Sequence, residues 1–526
     1  MARTRRRKGQ AFGPTSSNDR LIRLGIFLLW LALVAVQIAH HAVWRDEVRA
    51  LSFALQGDNV VAMWRGLRGD AHPALWHLML RGAYALTGRI EVLQGVALLV
   101  ASGAMALLCW RAPFHWAILA LFAFGHAAFF EYAVIARNYG ISMLLLFVVA
   151  ALWRWRGRGI TIGLPLALLA NTNVHSAFLT CLIMGVWLFD RSREAGSGRV
   201  KAINAVLVVL AVIAAFLTVY PTFNDAVTDA QPPRSAIDLA WAVANPAPWF
   251  EEMMLRPPTK LLAPLGIVPW PWLGWAMSGL MFASLLSLVR RPMLLLAGAV
   301  SLVGLTLLFC GVYVGFYRHE ALWMLFMLTL AWIGWDARAR IGVVEKIGWG
   351  AFAIILALQV PSGIKGVVEA LIDAPPFIRS RDVARFIKAR PALHDAILMG
   401  DPDHLLEPLP YYLDNPIYQM RQGRFGKIVP FTRNARRKLG LDDFIAQAHD
   451  LQKAQGKPVL ILLRHKLDPD AAGGVINEGY GWTIDLRRDQ VRRFLNATRR
   501  IASFPPGKGD EFYDVYWVKE VQAARR

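Results

Sequence analysis

The chain has 526 residues and a formal net charge of +21; 56% of its residues are hydrophobic and only 18% are charged. A soluble globular chain carries about 25% charge. That shortfall, with a mean hydropathy of +0.38, makes the bilayer the natural solvent and excludes a disordered, collagenous or coiled-coil chain. The three cysteines, Cys109, Cys181 and Cys310, each sit in an apolar run. They read as small buried thiols, not as a disulfide scaffold.

The chain opens on MARTRRRKGQ, and Arg and Lys recur in short tracts between apolar runs. Tracts so placed set membrane orientation and do not form a duplex footprint. No nucleic-acid partner is expected.

The run Leu21 to Val43 is long enough to cross a bilayer. It lacks a small-x-small cleavage site and reads as a signal anchor behind a basic tail, residues 1–20. Further candidate spans are 91–110, 114–133, 138–153, 159–172, 175–190, 202–220, 263–289, 293–313, 319–335 and 346–361. The expectation is therefore an all-α polytopic membrane protein of about 11 transmembrane helices over 21–361.

Residues 73–88 are short and carry His77 and Arg81. If they do not cross and the tail is cytoplasmic, Arg111, Arg154, Arg156, Arg158, Arg191, Arg193, Arg199 and Lys201 fall on inner loops, as do Arg290, Arg291, Arg338, Arg340 and Lys346. If they cross, the bias reverses. The positive-inside rule favours the first arrangement, with 73–88 as a helix lying in the interface. Loops 44–90 and 221–262, and everything from 362 to 526, then lie on the outer face.

The last stretch is not membrane-like. DDFIAQAHDLQKAQGK reads as a helix leading into the buried strand VLILL. AILMGDP, NPIYQM and FYDVYWVKEV read as further strands. A soluble, periplasmic α/β domain is expected over 362–526.

Five polar constellations fall on that outer face. In HHAVWRDEVRALSFAL, Asp46 and Glu47 stand where the chain leaves the bilayer. An acid at that boundary can accept a proton from a nucleophile; Asp and Glu also favour the first turn of a helix. In GDAHPALWHLML, His72 precedes Pro73, a residue suited to the first helical position. His72 could meet phosphate or assist a base, or simply be solvated.

FFEYAVIARNYG places Glu131, Arg137, Asn138 and Tyr139 at the rim. An arginine there snorkels as an anchor or meets an anion, whose phosphate form suits its planar fork. Asn171, Asn173 and His175 form a polar turn between spans, where such groups line a cavity or pair. Tyr317, Arg318, His319 and Glu320 open on the rim again, with a local Arg318–Glu320 interaction as the plain alternative. One acid pair with two arginines suits a base for the nucleophile and cations for a departing phosphate.

Other motifs fail. There is no P-loop, HExxH or G-x-S-x-G, and GKGD near the end lacks the rest of a Walker motif. His40 and His41 are direct neighbours about 100° apart on a helix and do not share a metal. A divalent ion at Asp46 and His72 is the one metal arrangement entertained; none is required. The tract 421–440, RQGRFGKIVPFTRNARRKLG, holds seven Arg or Lys and no acid. It reads as a solvated basic face or a surface for anionic headgroups.

Taken together, Trp44, Asp46, Glu47 and Arg49 after an N-terminal span, then HPALWHLMLRGAYALTG, ARNYG, NTNVHS and FYRH, resemble the GT-C superfamily of integral-membrane glycosyltransferases. The order is most similar to the branch of protein O-mannosyltransferases and lipid A aminoarabinose transferases, over roughly 20–335. The resemblance implies a polyprenyl-phosphate-sugar-dependent glycosyltransferase of the bacterial inner membrane, acting with inversion at the outer face. It implies Asp46 as base with Glu47 supporting it, and His72 beside the site. Arg137 and Arg318 would face the donor phosphate, and Tyr139, Asn173, His175 and His319 would line the substrate. The acceptor, whether glycan, lipid or protein, is not named by any motif. Ala74 stands where many relatives have a second proline, and His319 where relatives have tyrosine after arginine.

A lipid-linked glycan ligase or polymerase would share the donor but need no acid in the first loop. A transporter or flippase would show repeats and broken midplane spans. A non-catalytic assembly protein would make Asp46 dispensable.

Overall fold

The structure is a computed structural model that describes residues 17–67, 70, 72–220, 234–263, 272–336, 340–372, 378–470, 473–505 and 511–520. The basic tail 1–16, the start of the second outer loop (221–233) and GKGD (507–510) lie outside the described residues. Packing divides the chain into two compact units. One comprises Met1–Ile38, Ala97–Ala215 and Gln231–Val368; the other comprises Ala39–Val96, Phe216–Ala230 and Glu369–Arg526.

The first unit is built of helices. Among the described residues, five helices, counting those that run on into the second unit, are long and apolar enough to cross a membrane: Ser17–His40, Val92–Arg111, Gly198–Val219, Pro292–Gly311 and Val343–Leu371. At about 1.5 Å per residue each exceeds or matches a hydrocarbon core of about 30 Å. Their apolar residues run round the whole circumference, as lipid-embedded helices require. Ile203, Val206, Leu210 and Ile213 of Gly198–Val219 are exposed, which is an apolar face open to lipid.

The other candidate spans are shorter. Tyr139–Trp155, Val174–Leu188 and Leu273–Leu288 are apolar helical segments of intermediate length. Segment 114–133 breaks into Trp116–Ala123 and a π-helical turn, Ala127–Glu131, while 159–172 forms only Gly163–Ala170 and 319–335 falls in Tyr317–Ile333. Every segment read as a span carries a helix, and five have the length for one.

Three buried polar side chains near the chain's first helix are matched to backbone carbonyls. Arg23 is 3% exposed; it donates to the carbonyls of Cys109, Ala112 and Phe114 at 3.1, 3.0 and 2.5 Å and pairs with Asp19 at 2.9 Å. Carbonyls at the end of a helix have no partner of their own within it, so Arg23 caps Val92–Arg111. Trp30 and Gln37 donate to the carbonyls of Ala128 and Phe129.

The second unit holds all the described strands: β1 (Ile397–Asp401), β2 (Tyr418–Gln419), β3 (Arg424–Phe425), β4 (Lys438–Gly440), β5 (Val459–Leu463), β6 (Val475–Gly479), β7 (Trp482–Asp485), β8 (Thr498–Phe504) and β9 (Tyr513–Val518). The main sheet has the order β1-β5-β9-β8, with β1 and β5 parallel and β9 antiparallel to β5 and β8. Helix Leu441–Gln455 leads into β5. Alternate residues serve opposite faces: Val459, Ile461 and Leu463 enter one core, and Leu460 and Leu462 the other. This two-sided burial explains why VLILL reads as an unbroken apolar run.

The same unit holds the first outer loop. Helices Arg45–Leu55, Val60–Gly66 and Leu75–Thr87 pack through Phe53, Met63, Leu67 and Ala74, with Leu78 and Ile428 against them. Leu75–Thr87 has 13 residues, about 20 Å long and short of a bilayer. It begins two residues beyond Pro73, after Ala74 as N-cap, so His72 lies outside it. Proline excludes helical φ/ψ at its predecessor and supplies no N–H itself. Arg81 reaches the carbonyls of Ala54, Gln56 and Gly57 at 3.0, 3.1 and 2.9 Å and closes the end of Arg45–Leu55.

Replacing Arg23 by leucine should lower the unfolding midpoint in detergent markedly, by the about 3 kcal/mol typical of a broken buried pair. A midpoint equal to the wild type would show that these carbonyls need no cap.

Candidate functional site

In the second unit the acid pair divides its labour. Helix Arg45–Leu55 starts after Trp44, whose backbone is extended. Glu47, three residues after the cap, accepts the Trp44 N–H at 2.8 Å and stands 2.8 Å from His41 Nε2. Its side chain is fully buried. This is half of a capping box, because the indole of Trp44 has no acceptor to return. Asp46 differs: its side chain is 28% exposed, and Arg45 Nε lies 3.8 Å from its Oδ1. Sequence alone offered a cap or a base for the pair; the structure places the capping role on Glu47.

Behind this helix lies a network of whose charged and histidine members sequence reasoning named Arg49, His72 and His77 but not Asp70 or Glu407. Arg49 Nη1 donates to Glu407 Oε1 at 2.5 Å and to the carbonyl of Val429 at 2.8 Å, while its Nε lies 3.4 Å from Asp70 Oδ1. The guanidinium also lies over the rings of Phe53 and Phe431 at 4.9 and 5.1 Å. Burial alone would lower its pKa; the charges of Glu407 and Asp70 outweigh that and raise it. Asp70 is 3.0 Å from His77 Nε2 and 3.4 Å from His72 Nδ1. Burial would raise its carboxyl, but the charge and hydrogen bonds of the two histidines prevail and hold it well below the usual carboxylate range. His72, read from sequence as a neighbour of the acid pair, is here a partner of Asp70.

A second buried network lies in the strand-bearing region. Arg421 is not part of a solvated basic face: it is fully buried, 2.5 Å from Asp401 Oδ1, and its guanidinium lies over Trp482 at 4.9 Å. Arg433, Arg437 and Lys438 of the same tract are exposed. Asp403 accepts the N–H groups of Met420 and Arg421 at 2.9 and 3.0 Å, and burial pushes its carboxyl up to about 7. His404 lies among Phe431, Tyr480 and Trp482; burial holds its pKa well below the usual imidazole value.

In the first unit the remaining sequence-predicted residues gather at helix starts. Asn173 caps Val174–Leu188 by accepting the Ser176 N–H at 2.8 Å, and donates to Ser142 Oγ at 2.9 Å. Ser142 is 2.8 Å from Thr172 Oγ1 and 2.9 Å from Ser176 Oγ, and Asn138 donates to the Thr172 carbonyl. Thr172, Asn173 and Ser176 of the polar turn read from NTNVHS thus share one hydrogen-bond net with Ser142. His175 and His319 stack with ring centroids 4.7 Å apart, and Tyr139 meets His319 at 5.5 Å while stacking on Tyr132 at 6.0 Å.

Arg318 Nη1 is 3.7 Å from Glu131, and Glu320 accepts the Met253 N–H at 2.8 Å. Each therefore reaches beyond the local pair read from sequence. Arg137 is buried in the turn before Tyr139–Leu152. A cleft of about 310 Å³ lies beside this cluster, lined by Trp249, Glu251, Glu252, Arg256, Phe316 and Glu320 among others. Among the described residues, no three His, Cys, Asp or Glu side chains gather as metal ligands would.

No family model matches the chain, and no curated protein matches it. Among solved structures it is similar to ArnT from Cupriavidus metallidurans in the apo state, with 13% identity and a TM-score of 0.49. It is also similar to ArnT from the same organism bound to undecaprenyl phosphate, with 12% identity and a TM-score of 0.45. Each likeness covers 88% of this chain and 97% of the other. At that similarity no residue role is carried across.

Because Asp70 has a depressed folded-state pKa, its carboxylate contributes stability above the unfolded value near 3.8 and loses it as pH falls further. Asp70→Asn should cost about 3 kcal/mol at pH 6, and the gap to wild type should narrow below pH 4. Unfolding curves at pH 6 and pH 3 with equal gaps would contradict this.

Proposed function

We propose that this chain is a membrane glycosyltransferase that moves a sugar from a polyprenyl-phosphate donor to an acceptor at the outer face, with inversion. The observation that carries the reading is the division within the acid pair. Glu47 is buried and bonded as a cap, while Asp46, next to it at the same helix start, keeps a partly exposed carboxylate. An acid held on a rigid helix beside water is placed to take a proton.

Asp46 removes the acceptor's hydroxyl proton. The freed oxygen attacks the anomeric carbon from the side opposite the phosphate, and the bond from that carbon to the phosphate oxygen breaks. The electron pair leaves with the polyprenyl phosphate, whose charge Arg137 and Arg318 neutralise. Glu47 supports Asp46 by fixing the turn that carries it. His72, Tyr139, Asn173, His175 and His319 line the donor and acceptor positions. The donor's lipid tail needs apolar helices and its sugar needs the interface; five apolar helices long enough to span supply the first.

The chemistry draws on acid, cation and lipid groove, so no nucleotide or metal is needed. Phosphate departure at the membrane surface favours a site on the outer side of a bacterial inner membrane, with the N-terminus cytoplasmic and residues 362–526 periplasmic. A lipid-linked glycan ligase would use the same arginines without Asp46, and a flippase would release no polyprenyl phosphate.

The test is equilibrium binding of labelled polyprenyl phosphate to protein in lipid. Wild type should bind saturably, Arg137→Ala and Arg318→Ala should each weaken binding at least 10-fold, and Asp46→Asn should bind as wild type does. Unchanged affinity in both arginine variants would remove the phosphate role from them. A tag at residue 400 should be reachable from outside in intact cells; protection there would overturn the orientation.

A further inference from the structure

The helix that carries Asp46 is gripped on both sides of that residue by the region after 380. On one side, Arg45 N–H donates to Glu511 Oε1 at 3.1 Å, and Arg45 Nη1 lies 3.7 Å from the same oxygen. Glu511 is fully buried. The first N–H groups of a helix have no partner within it, and a carboxylate there is favoured by the dipole. On the other side, Arg49 is held by Glu407, which also accepts the Val429 N–H at 2.8 Å. Val429 thus presents its N–H to Glu407 and its carbonyl to Arg49.

The approach to the helix is held as well. Val43 N–H donates to the Tyr412 hydroxyl at 2.7 Å, Ser380 Oγ donates to the Val43 carbonyl at 3.3 Å, and Arg381 donates to the His40 carbonyl at 3.1 Å.

Two features argue that the grip is built for placement. Phe431, whose ring lies over Arg49, has φ +50°. For a bulky side chain that conformation is a real outlier and persists only where its surroundings enforce it. Arg45 and Arg49 are also one turn apart and lie on the same side of the helix, whereas Asp46 lies about 100° round from Arg45. Fixing the two arginines fixes the direction in which Asp46 leaves the helix, and Arg45 Nε itself lies 3.8 Å from Asp46 Oδ1.

We infer that Glu407 and Glu511 are positioning residues for the reaction: acting through Arg49 and Arg45, they hold the Asp46 carboxylate in its working direction. This rests on the reading of Asp46 as base. It gives residues after 380 a role in the chemical step, beyond any role in recognising an acceptor.

The experiment uses the full chain in lipid and follows polyprenyl phosphate release against donor concentration, together with hydrogen exchange of the amides in 45–50. Glu407→Gln and Phe431→Gly are compared with wild type, with Asp46→Asn alongside and Asp485→Asn, in an exposed pair with Arg487, as control. Phe431→Gly removes the ring while suiting the left-handed backbone, and the folded fraction of each variant is measured alongside. Both variants should lower kcat at least 10-fold, leave the donor KM within 2-fold and speed exchange in 45–50, while the control changes nothing.

Wild-type kcat and exchange in both variants would overturn the inference. So would a loss that merely follows the unfolded fraction. If Asp46→Asn itself keeps full turnover, the base reading fails instead; if Asp46→Asn loses turnover while Glu407→Gln and Phe431→Gly turn over normally, only the positioning inference fails.

Discussion

A guanidinium taken out of water is costly unless charges and acceptors replace what water gave it. Arg49 is such a group, and the second unit is organised around it. Glu407 supplies one carboxylate, Asp70 lies close with another, Val429 supplies a carbonyl, and Phe53 and Phe431 face the guanidinium. Apart from Phe53, on the same helix as Arg49, the partners come from three distant stretches of chain: Asp70, Glu407, and the pair Val429 and Phe431. Satisfying one arginine therefore ties the first loop to the region after 380, and ties both to the helix that carries Asp46. Asp70 extends the tie to His72 and His77, so these three side chains are held together by charge beside the small apolar cluster.

The helical unit meets the same demand with neutral groups. At the turn 171–173, hydroxyls and amides of Ser142, Thr172, Asn173 and Ser176 satisfy one another. In a low-dielectric setting each unmade bond would be expensive, and a closed net is rigid. Arg23 does the same for a helix end with three carbonyls. Rigid polar turns at helix starts hold His175 and Tyr139 against His319. They form a fixed aromatic surface rather than a flexible rim.

Much of this was legible in the sequence. Apolar runs marked where helices form, because lipid imposes one requirement on every residue in a span. VLILL and FYDVYWV marked strands because alternation and two-sided burial leave a compositional trace. Helix length was less legible: 114–133 is mostly apolar and reads as one span, yet its helix stops at Ala123, before Gly125 and His126, and resumes as a π-helical turn. Asp46 and Glu47 stood out as a pair, but identical chemistry hid their different burial. Asp70 and Glu407 carried no signal at all. Glu407 and Arg49 are 358 positions apart, and no local pattern links residues so distant. Arg421 was lost in a basic tract, because a run of like charges looks solvated even when one member is buried against Asp401.

The most direct measurement of the central claim is turnover at Asp46. Protein in lipid would be given a panel of polyprenyl-phosphate sugars with a membrane extract as acceptor, and release of polyprenyl phosphate followed for wild type and Asp46→Asn. The account predicts release from one donor by wild type and at least a 1000-fold loss in the variant, about 4 kcal/mol of transition-state stabilisation. Equal release by both, or none by wild type from any donor, would contradict it and leave Asp46 as no more than part of a helix start.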